Sequence, residues 1–160
     1  MSVTLHTSLG DIKVEIFCDS VPVAAYNFMA LCASGYYDGC TFHRNIKNFM
    51  IQTGDPTGTG KGGESIYAKF FQDEFVEELE HNARGILSYA NKGPDTNGSQ
   101  FFITYAKLPY LNKKYTVFGK VIWGLETLDK MERVDCDEKD RPKEEIKLIG
   151  VTIHANPLAD

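Results

Sequence analysis

The sequence lacks both a surplus of positive charge and a long apolar run. Lys and Arg together number 17 against 22 Asp and Glu, for a formal net charge of −5. Proteins that bind a phosphate backbone usually carry the opposite balance, so this composition disfavours direct binding to nucleic acid. The longest uninterrupted apolar runs are only a few residues, such as Val23–Ala25. Because a membrane-spanning helix needs about 20 apolar residues, we expect no membrane span.

The N-terminus also lacks the features of a secretory leader. Residues 1–7 carry no basic segment followed by an apolar stretch, and they alternate like a strand. The four cysteines, at positions 18, 32, 40 and 136, include no C-x-x-C pair. In a chain large enough to fold without disulfides, this usage is typical of reduced thiols. We therefore expect a protein of the nucleus or the cytoplasm.

Histidine is scarce as well, and its positions argue against a metal site. The four histidines never occur at ligand spacing, and only His43 lies close to a cysteine, three residues after Cys40. The run Gly58–Gly63 matches the G-x-G-x-x-G pattern of dinucleotide-binding proteins, but no helical pattern follows it. We interpret this run as a loop whose glycines supply positive-φ conformations. Neither a metal nor a cofactor is expected.

What the sequence does contain is the composition of an ordinary globular domain. It is 42% hydrophobic, 12% aromatic and 24% charged. A chain of 160 residues buries roughly two thirds of the surface that its unfolded form exposes, which is enough for a core. No internal repeat or linker divides it, so we predict a single domain over residues 1–160.

Period-two alternation dominates the pattern and predicts strands. Apolar residues at every second position, in 3–5 and again in 12–16, predict a two-strand meander with one solvent-facing side. Later short runs are rich in aromatic and β-branched residues and are bounded by Gly, Asn, Asp or Pro. They predict strands at residues 41–44, 49–53, 86–89, 101–104, 116–121 and 146–154.

Only two segments read as helices. Pro22 suits a first helical position, and apolar residues including Phe28 and Leu31 recur at helical spacing, which predicts a helix over residues 22–34. A second short helix is predicted around residues 125–131. Few helices in a strand-rich chain can cover the open ends of a barrel, so we predict an all-β fold, an antiparallel barrel capped by two α-helices.

The candidate chemistry lies in a mixture of apolar and polar residues. Arg44 and Gln52 flank Phe49 and Met50 in a predicted strand–loop–strand unit. Burial in the core is the expected role of three other aromatic residues, Phe42, Phe101 and Phe118. A purely structural role, with polar residues on the strand face opposite the core, explains Arg44 and Gln52 less well. The unit would set a guanidinium and a primary amide near Phe49 and Met50, which we expect to be exposed. An apolar shelf beside a fixed cation is suited to holding a proline ring.

Several segments resemble the cyclophilin family of peptidyl-prolyl cis-trans isomerases. The matching segments are 42–44, 48–55, 58–65, 90–91, 93–94, 97–104 and 118–121, and the family pattern extends from about residue 3 to residue 153. Segments 36–39, 114–119 and 154–157 are most similar to the cyclophilin-like 3 branch, whose members are single-domain and associate with spliceosomes. The resemblance implies a closed eight-stranded antiparallel barrel capped by two helices, and isomerase activity on Xaa-Pro bonds.

The resemblance also implies a role for individual residues. Arg44 would be the catalytic arginine, and Gln52 would steady it. Phe49, Met50, Phe102 and Leu111 would line a proline pocket. The groove wall would be completed by Ala90, Asn91 and Gln100, with Asn91 holding the peptide through its backbone.

Two substrate-binding positions depart from the commonest family pattern. Tyr110 stands where the best-known members have tryptophan, and Tyr115 stands where they have histidine. Because Tyr115 keeps an aromatic floor with a polar tip, we expect activity to survive. Tyr110 lacks the indole N–H, so we expect cyclosporin-type inhibitors to bind weakly. The preferred residue before proline is expected to depend on Lys69, Phe70, Tyr89 and Lys92.

Two function classes follow from these residues. The leading hypothesis is an isomerase that accelerates rotation about Xaa-Pro bonds in peptides and proteins, assisting protein folding or the assembly of splicing complexes. The alternative is a proline-binding adaptor that uses the same groove to dock onto spliceosomal proteins, with incidental or weak turnover. Arg44 and Gln52 favour the enzyme, whereas Tyr110 and Tyr115 keep the adaptor open. We expect a monomer in either case.

Overall fold

The computed structural model describes residues 1–154 as one strand-rich sheet with two α-helices. The strands are β1 (Ser2–Thr7), β2 (Gly10–Ile16), β3 (Cys40–Thr41), β4 (Arg44–Ile46), β5 (Met50–Thr53), β6 (Ile86–Tyr89), β7 (Phe101–Thr104), β8 (Val117–Trp123) and β9 (Lys147–His154). The α-helices are α1 (Pro22–Ala33) and α2 (Leu125–Glu132), and a short 3-10 helix spans Pro109–Leu111. Residues 155–157, part of the branch-specific segment named above, lie outside the described residues.

The strands form one antiparallel sheet whose two edges meet. Its strand order is β3-β9-β1-β2-β8-β6-β7-β5-β4. The edge strands β3 and β4 are consecutive in the chain and are separated only by Phe42 and His43. The Phe42 N–H donates to the Ile146 carbonyl next to β9, whereas β4 pairs with β5. The sheet therefore curls until its first and last strands are two parts of one segment.

That shared segment explains the strand count. The sequence predicts one strand at 41–44, but the structure breaks it because the segment changes partner from β9 to β5. When β3 and β4 are taken as one interrupted strand, the nine strands become the eight that the resemblance implies. The prediction of an all-β fold with two helices is confirmed.

Alternation along each strand decides which side chains are buried. In β2, Ile12, Val14 and Ile16 are at most 2% exposed, while the intervening Lys13 and Glu15 are half-buried. Successive side chains of a strand point to opposite faces, so one face of the curled sheet forms the core. Three aromatic residues predicted to be core, Phe42, Phe101 and Phe118, are fully buried.

The two helices lie at opposite ends of β2. At the start of β2, the Asp11 carbonyl accepts a hydrogen bond from the Thr127 hydroxyl of α2 at 3.1 Å. At its other end, Ile16 is followed after five residues by Pro22, the first residue of α1. Helix α1 contributes Phe28 to the core, and α2 contributes Met131 to the same core. Neither helix is long and apolar enough to cross a membrane, as far as residues 1–154 are concerned.

Candidate active site

One row of side chains crosses neighbouring strands on the outer face of the sheet. Arg44 of β4 lies opposite Gln52 of β5, which in turn lies opposite Phe102 of β7. Directly opposed residues of an antiparallel ladder project to the same face. The next row projects the other way, because its members Ile51 and Ile103 are fully buried in the core. Register alone thus places a cation, an amide and a phenyl ring side by side.

A second apolar cluster lies on this outer face, apart from the main core. Its buried members are Met50, Phe102, Leu108 and Leu111, and Phe49 and Tyr115 pack against them. The expectation that Met50 is exposed is wrong, because these neighbours cover it and leave it 1% exposed. The Tyr115 ring meets the Phe102 ring nearly edge-on, with centroids 5.6 Å apart. The cluster surrounds a shallow cavity of about 100 Å³. That cavity is lined by Arg44, Phe49, Met50, Gln52, Ala90, Asn91, Phe102, Leu111 and Tyr115.

The cation of this cavity is not engaged by neighbouring side chains. Arg44 is exposed, and among residues 1–154 its guanidinium forms neither a side-chain hydrogen bond nor an ion pair. By contrast, the guanidinium of Arg84 binds Asp129 at 2.7 Å and Glu132 at 2.8 Å. A guanidinium remains protonated at physiological pH and presents five N–H donors. Arg44 can therefore donate hydrogen bonds to a group that enters the cavity.

The amide of Gln52 faces Arg44 across the ladder but binds elsewhere. Gln52 Nε2 donates to Gln100 Oε1 at 2.9 Å. Gln100 Nε2 in turn donates to the carbonyls of Gly60 and Gly62 at 3.0 Å and 2.9 Å. The expected steadying of Arg44 by Gln52 is not seen as a direct hydrogen bond, because no contact within residues 1–154 joins the Arg44 guanidinium to the Gln52 amide oxygen. Gln52 is itself fixed, through Gln100, by the glycine-rich segment.

Asn91 lines the cavity, and its side chain and its backbone differ in their hydrogen bonds. No hydrogen bond within residues 1–154 engages its N–H or its carbonyl. Its side chain is occupied, because Nδ2 donates to the Lys114 carbonyl at 2.8 Å and Oδ1 accepts from the Gly93 N–H at 3.1 Å. The side chain therefore fixes the loop while the main chain remains available to pair with an extended peptide.

Two predicted binding residues do not line the cavity. Tyr110 is 62% exposed, so its predicted contact with substrate stays a prediction. Gln100 lines a neighbouring cavity of about 160 Å³, which shares Gln52, Ala90 and Asn91 with the first. Of the residues expected to govern the residue before proline, the neighbouring cavity includes Lys69, Phe70 and Lys92.

The expectation that Tyr89 lies beside the groove is wrong. Tyr89 is fully buried, and its hydroxyl donates to the Ala24 carbonyl of α1 at 2.7 Å. The residue ends β6 with its ring stacked on Phe118, at a centroid distance of 4.3 Å. Alternation explains this result, since Tyr89 faces the core while its neighbour Ala90 faces the groove.

Sequence reasoning missed a buried histidine beneath the cavity. The His81 ring stacks on Phe102 with a centroid distance of 6.0 Å. Its Nδ1 lies 2.9 Å from Asn112 Oδ1, and its Nε2 lies 3.0 Å from the Ser88 hydroxyl. Burial lowers the pKa of His81, although its hydrogen bond to Asn112 works in the opposite direction. No local signal indicates this role, because Phe102 and Asn112 are more than 20 positions away in the chain.

The curled sheet, its two helices and this cavity define a class of protein. The family model for cyclophilin type peptidyl-prolyl cis-trans isomerases matches residues 2–153. The chain belongs to this family of isomerases. The predicted enzyme class, a peptidyl-prolyl cis-trans isomerase, is confirmed, and the adaptor hypothesis is not favoured.

Individual relatives are similar over their whole length. Peptidyl-prolyl cis-trans isomerase-like 3 of Dictyostelium discoideum is 71% identical, with 100% of this chain and 99% of the relative covered. The protein of the same description in Homo sapiens is 64% identical, with 99% of each chain covered. A crystal structure of a cyclophilin type peptidyl-prolyl cis-trans isomerase from Cryptosporidium parvum has a TM-score of 0.95 and 55% identity, with 98% of each chain covered. A second structure of that protein, in the presence of the dipeptide Ala-Pro, has a TM-score of 0.95 and 54% identity, with 98% of this chain and 100% of that chain covered.

Proposed function

We propose that this chain isomerises Xaa-Pro bonds with the proline ring in the cavity and Arg44 beside the rotating bond. The observation that carries the proposal is the exposed guanidinium of Arg44, which has no side-chain partner within residues 1–154 and lines an apolar cavity with Phe102 and Met50. The Cryptosporidium parvum structure in the presence of the dipeptide Ala-Pro supports this class of ligand. An apolar pocket with few polar groups is the usual form of a small-ligand site.

The reaction needs a preference for a twisted amide. Amide resonance gives Xaa-Pro rotation a barrier of about 18–20 kcal/mol. In the twisted state the C–N bond loses its double-bond character, and the proline nitrogen becomes pyramidal and gains a lone pair. A guanidinium N–H of Arg44 directed at that nitrogen stabilises the twisted state more than either planar isomer. Such differential binding lowers the barrier without breaking a covalent bond.

Other cavity residues serve binding and orientation in this proposal. Phe49, Phe102 and Leu111 hold the proline ring, and Tyr115 closes the cavity floor. The free N–H and carbonyl of Asn91 pair with the peptide backbone. A hydrogen bond to a charged group supplies about 1.5–3 kcal/mol, so Arg44 accounts for part of the acceleration. Exclusion of water by the apolar walls and anchoring of the peptide supply the rest.

Substitution of Arg44 tests the proposal. Arg44→Ala is expected to lower kcat/KM for an Ala-Pro peptide by about 10²–10³-fold, as for loss of one transition-state donor. The thermal midpoint should change little, because Arg44 is exposed and forms no side-chain hydrogen bond within residues 1–154. Magnetisation-exchange NMR on the peptide measures the acceleration. Lys47→Ala is the matched control, since Lys47 is an exposed cation that immediately follows β4.

The outcomes separate the two function classes. Full activity in Arg44→Ala would show that another group stabilises the twisted amide. Peptide binding to the unmodified protein without any faster exchange would support the adaptor instead.

The cellular setting is also a proposal. We infer that the protein works as a monomer in the nucleus or the cytoplasm, with spliceosomal proteins among its partners. All four cysteines are free thiols, as is usual for proteins of a reducing compartment. Pull-down from nuclear and cytoplasmic extracts tests the partner assignment, with the wild-type protein as one bait and Arg44→Ala as a second. Recovery of no spliceosomal protein from either extract would contradict the partner assignment.

A further inference from the structure

A buried carboxylate next to the groove has no part in the mechanism above. Asp55 is 0% exposed. Its Oδ1 accepts from the Thr57 N–H and hydroxyl at 2.9 Å and 2.8 Å. Its Oδ2 accepts from the N–H groups of Gly60 and Gly62 at 2.8 Å and 3.0 Å. These donors all belong to the short segment that follows Asp55, which has no regular secondary structure.

The carboxylate is charged at neutral pH. Burial by itself raises the pKa of Asp55, but hydrogen bonds from Thr57, Gly62 and Gly60 outweigh burial and lower the pKa to about 2. Hydrogen bonds to an ionised acceptor are shorter and stronger than neutral ones. Asp55 therefore determines the path of the segment that contains both glycines.

Glycine is required where this segment approaches Asp55. A Cβ on Gly62 would lie 2.5 Å from Asp55 Oδ1, and Gly60 has a φ of +86°. A larger residue at position 62 would displace the carboxylate. The glycine-rich pattern that resembles a dinucleotide motif thus serves to wrap backbone N–H groups around an internal acid.

Gly60 and Gly62 also determine the orientation of two side-chain amides, those of Gln100 and Gln52. The carbonyls of Gly60 and Gly62 can only accept hydrogen bonds, so Gln100 must present its NH₂ group to them. Gln100 Oε1 is then directed at Gln52 and requires the Gln52 NH₂ group, which lies 2.9 Å away. Gln52 consequently keeps its Oε1 as the free end of its amide, on the face that it shares with Arg44.

We propose that Asp55 is a positioning residue, which acts through Gly60, Gly62 and Gln100 to fix the orientation of the Gln52 amide beside Arg44. This inference rests on the proposed function for its effect on rate. A correctly oriented Gln52 Oε1 offers an acceptor to the Arg44 guanidinium when substrate is bound. A reversed amide would present NH₂ to that cation instead and would push the guanidinium away.

Asp55→Asn tests this role at constant shape. Either orientation of the new amide directs NH₂ at N–H donors of Thr57 or of the glycines, so the segment must shift. We expect kcat/KM to fall about tenfold, mainly through kcat, because Asp55 does not line the proline cavity. We also expect the side-chain ¹⁵N and ¹H resonances of the Gln52 amide to move. Asp11→Asn is the matched control, since Asp11 accepts a hydrogen bond from His6 on another part of the sheet.

A second substitution tests the relay itself. Gln100→Glu removes the donors to the two glycine carbonyls while keeping an acceptor for Gln52. If Asp55 acts through Gln100, the double variant Asp55→Asn/Gln100→Glu loses no more activity than the more damaging single variant. If the effects multiply, Asp55 and Gln100 act independently and the relay is wrong.

The spectroscopic readout separates this inference from the proposed function. A wild-type protein that does not accelerate exchange overturns the proposed function, whereas the Gln52 resonances still report on amide orientation. A lower thermal midpoint in Asp55→Asn with unchanged kcat and unchanged Gln52 resonances would reduce Asp55 to a purely structural residue. If Asp55→Asn fails to fold, Gly62→Ala displaces the same carboxylate from the other side and is expected to shift the same resonances.

Discussion

Tyr110 and Tyr115 illustrate how much exposure matters at the scale of a single residue. Tyr110 directly precedes Leu111 and Tyr115 follows it by four positions, yet Tyr115 packs against Phe102 as part of the cavity while Tyr110 is 62% exposed. Tyr115 therefore contributes to the shape of the proline site. Tyr110 does not line the cavity, so we expect it to contact ligands that extend beyond the cavity.

The exposed position of Tyr110 leads to a prediction about cyclosporin-type inhibitors. Tyr110→Trp adds an indole N–H donor and is expected to raise cyclosporin affinity about threefold to tenfold, the value of one neutral hydrogen bond. Isothermal titration calorimetry measures the change. Tyr26→Trp is the control, because Tyr26 is 58% exposed on α1. Equal affinities in the wild-type protein and Tyr110→Trp would show that this position does not limit inhibitor binding.

Helix α1 shows how an element depends on a distant residue. Its N-cap residue, Val21, offers no side-chain hydrogen bond to the first turn. Glu74, about 50 positions further along the chain, fills that role by accepting from the Val23 and Ala24 N–H groups at 3.3 Å and 2.6 Å. A carboxylate at a helix N-terminus satisfies unpaired donors and interacts favourably with the helix dipole.

Removal of this distant cap should destabilise the protein. Glu74→Ala is expected to lower the free energy of unfolding by about 1–2 kcal/mol, the usual cost of losing an N-cap. Glu74→Gln keeps an acceptor oxygen and should cost less. Denaturant unfolding measures both, with the exposed neighbour Glu77→Ala as the control. A cost for Glu77→Ala equal to that of Glu74→Ala would mean that general charge, rather than capping, is responsible.

At the scale of the whole molecule, the free energy of unfolding is coupled to the protonation of two buried histidines. Burial lowers the pKa of both His81 and His43 in the folded protein. An unfolded histidine has a pKa of about 6.5 and binds a proton below that pH, whereas the folded protein resists protonation. Because the unfolded state then binds more protons, the stability that is present above pH 6.5 is lost as the pH falls below it.

This coupling can be measured directly. The free energy of unfolding of the wild-type protein should decrease between pH 7.5 and pH 5, and the decrease should be smaller in His81→Gln. Urea unfolding at a series of pH values measures both slopes, and His43 accounts for part of the slope that remains. Equal slopes in the two proteins would show that His81 does not take part in the coupling. His81→Gln should also be less stable at every pH, since it removes the ring stacked on Phe102.

The curled sheet also sets the layout of the whole molecule. Its two edges meet at Phe42 and His43, directly before Arg44. Arg44 therefore lies where the chain passes from β3, which pairs with β9, to β4, which pairs with β5. Asn91, which lines the same cavity, lies two residues beyond the end of β6.

The sequence by itself determined what depends on local pattern. Alternation in 12–16 predicts a strand with one buried face, and helical spacing predicts α1 to within one residue of its observed end. The family resemblance names all nine residues that line the cavity, because the family pattern extends over each of the chain segments that meet there. Family membership follows from the same segments.

Only the tertiary structure decided which distant groups meet. Three contacts join residues more than 20 positions apart: the capping of α1 by Glu74, the stacking of His81 on Phe102, and the hydrogen bonds that Gln100 donates to the glycine segment. The sequence pattern indicates the periodicity of one segment. It carries no information on how the curled sheet closes and brings distant segments into contact. The burial of Tyr89 and the exposure of Tyr110 were decided in the same way, by the face on which each folded segment presents its side chains.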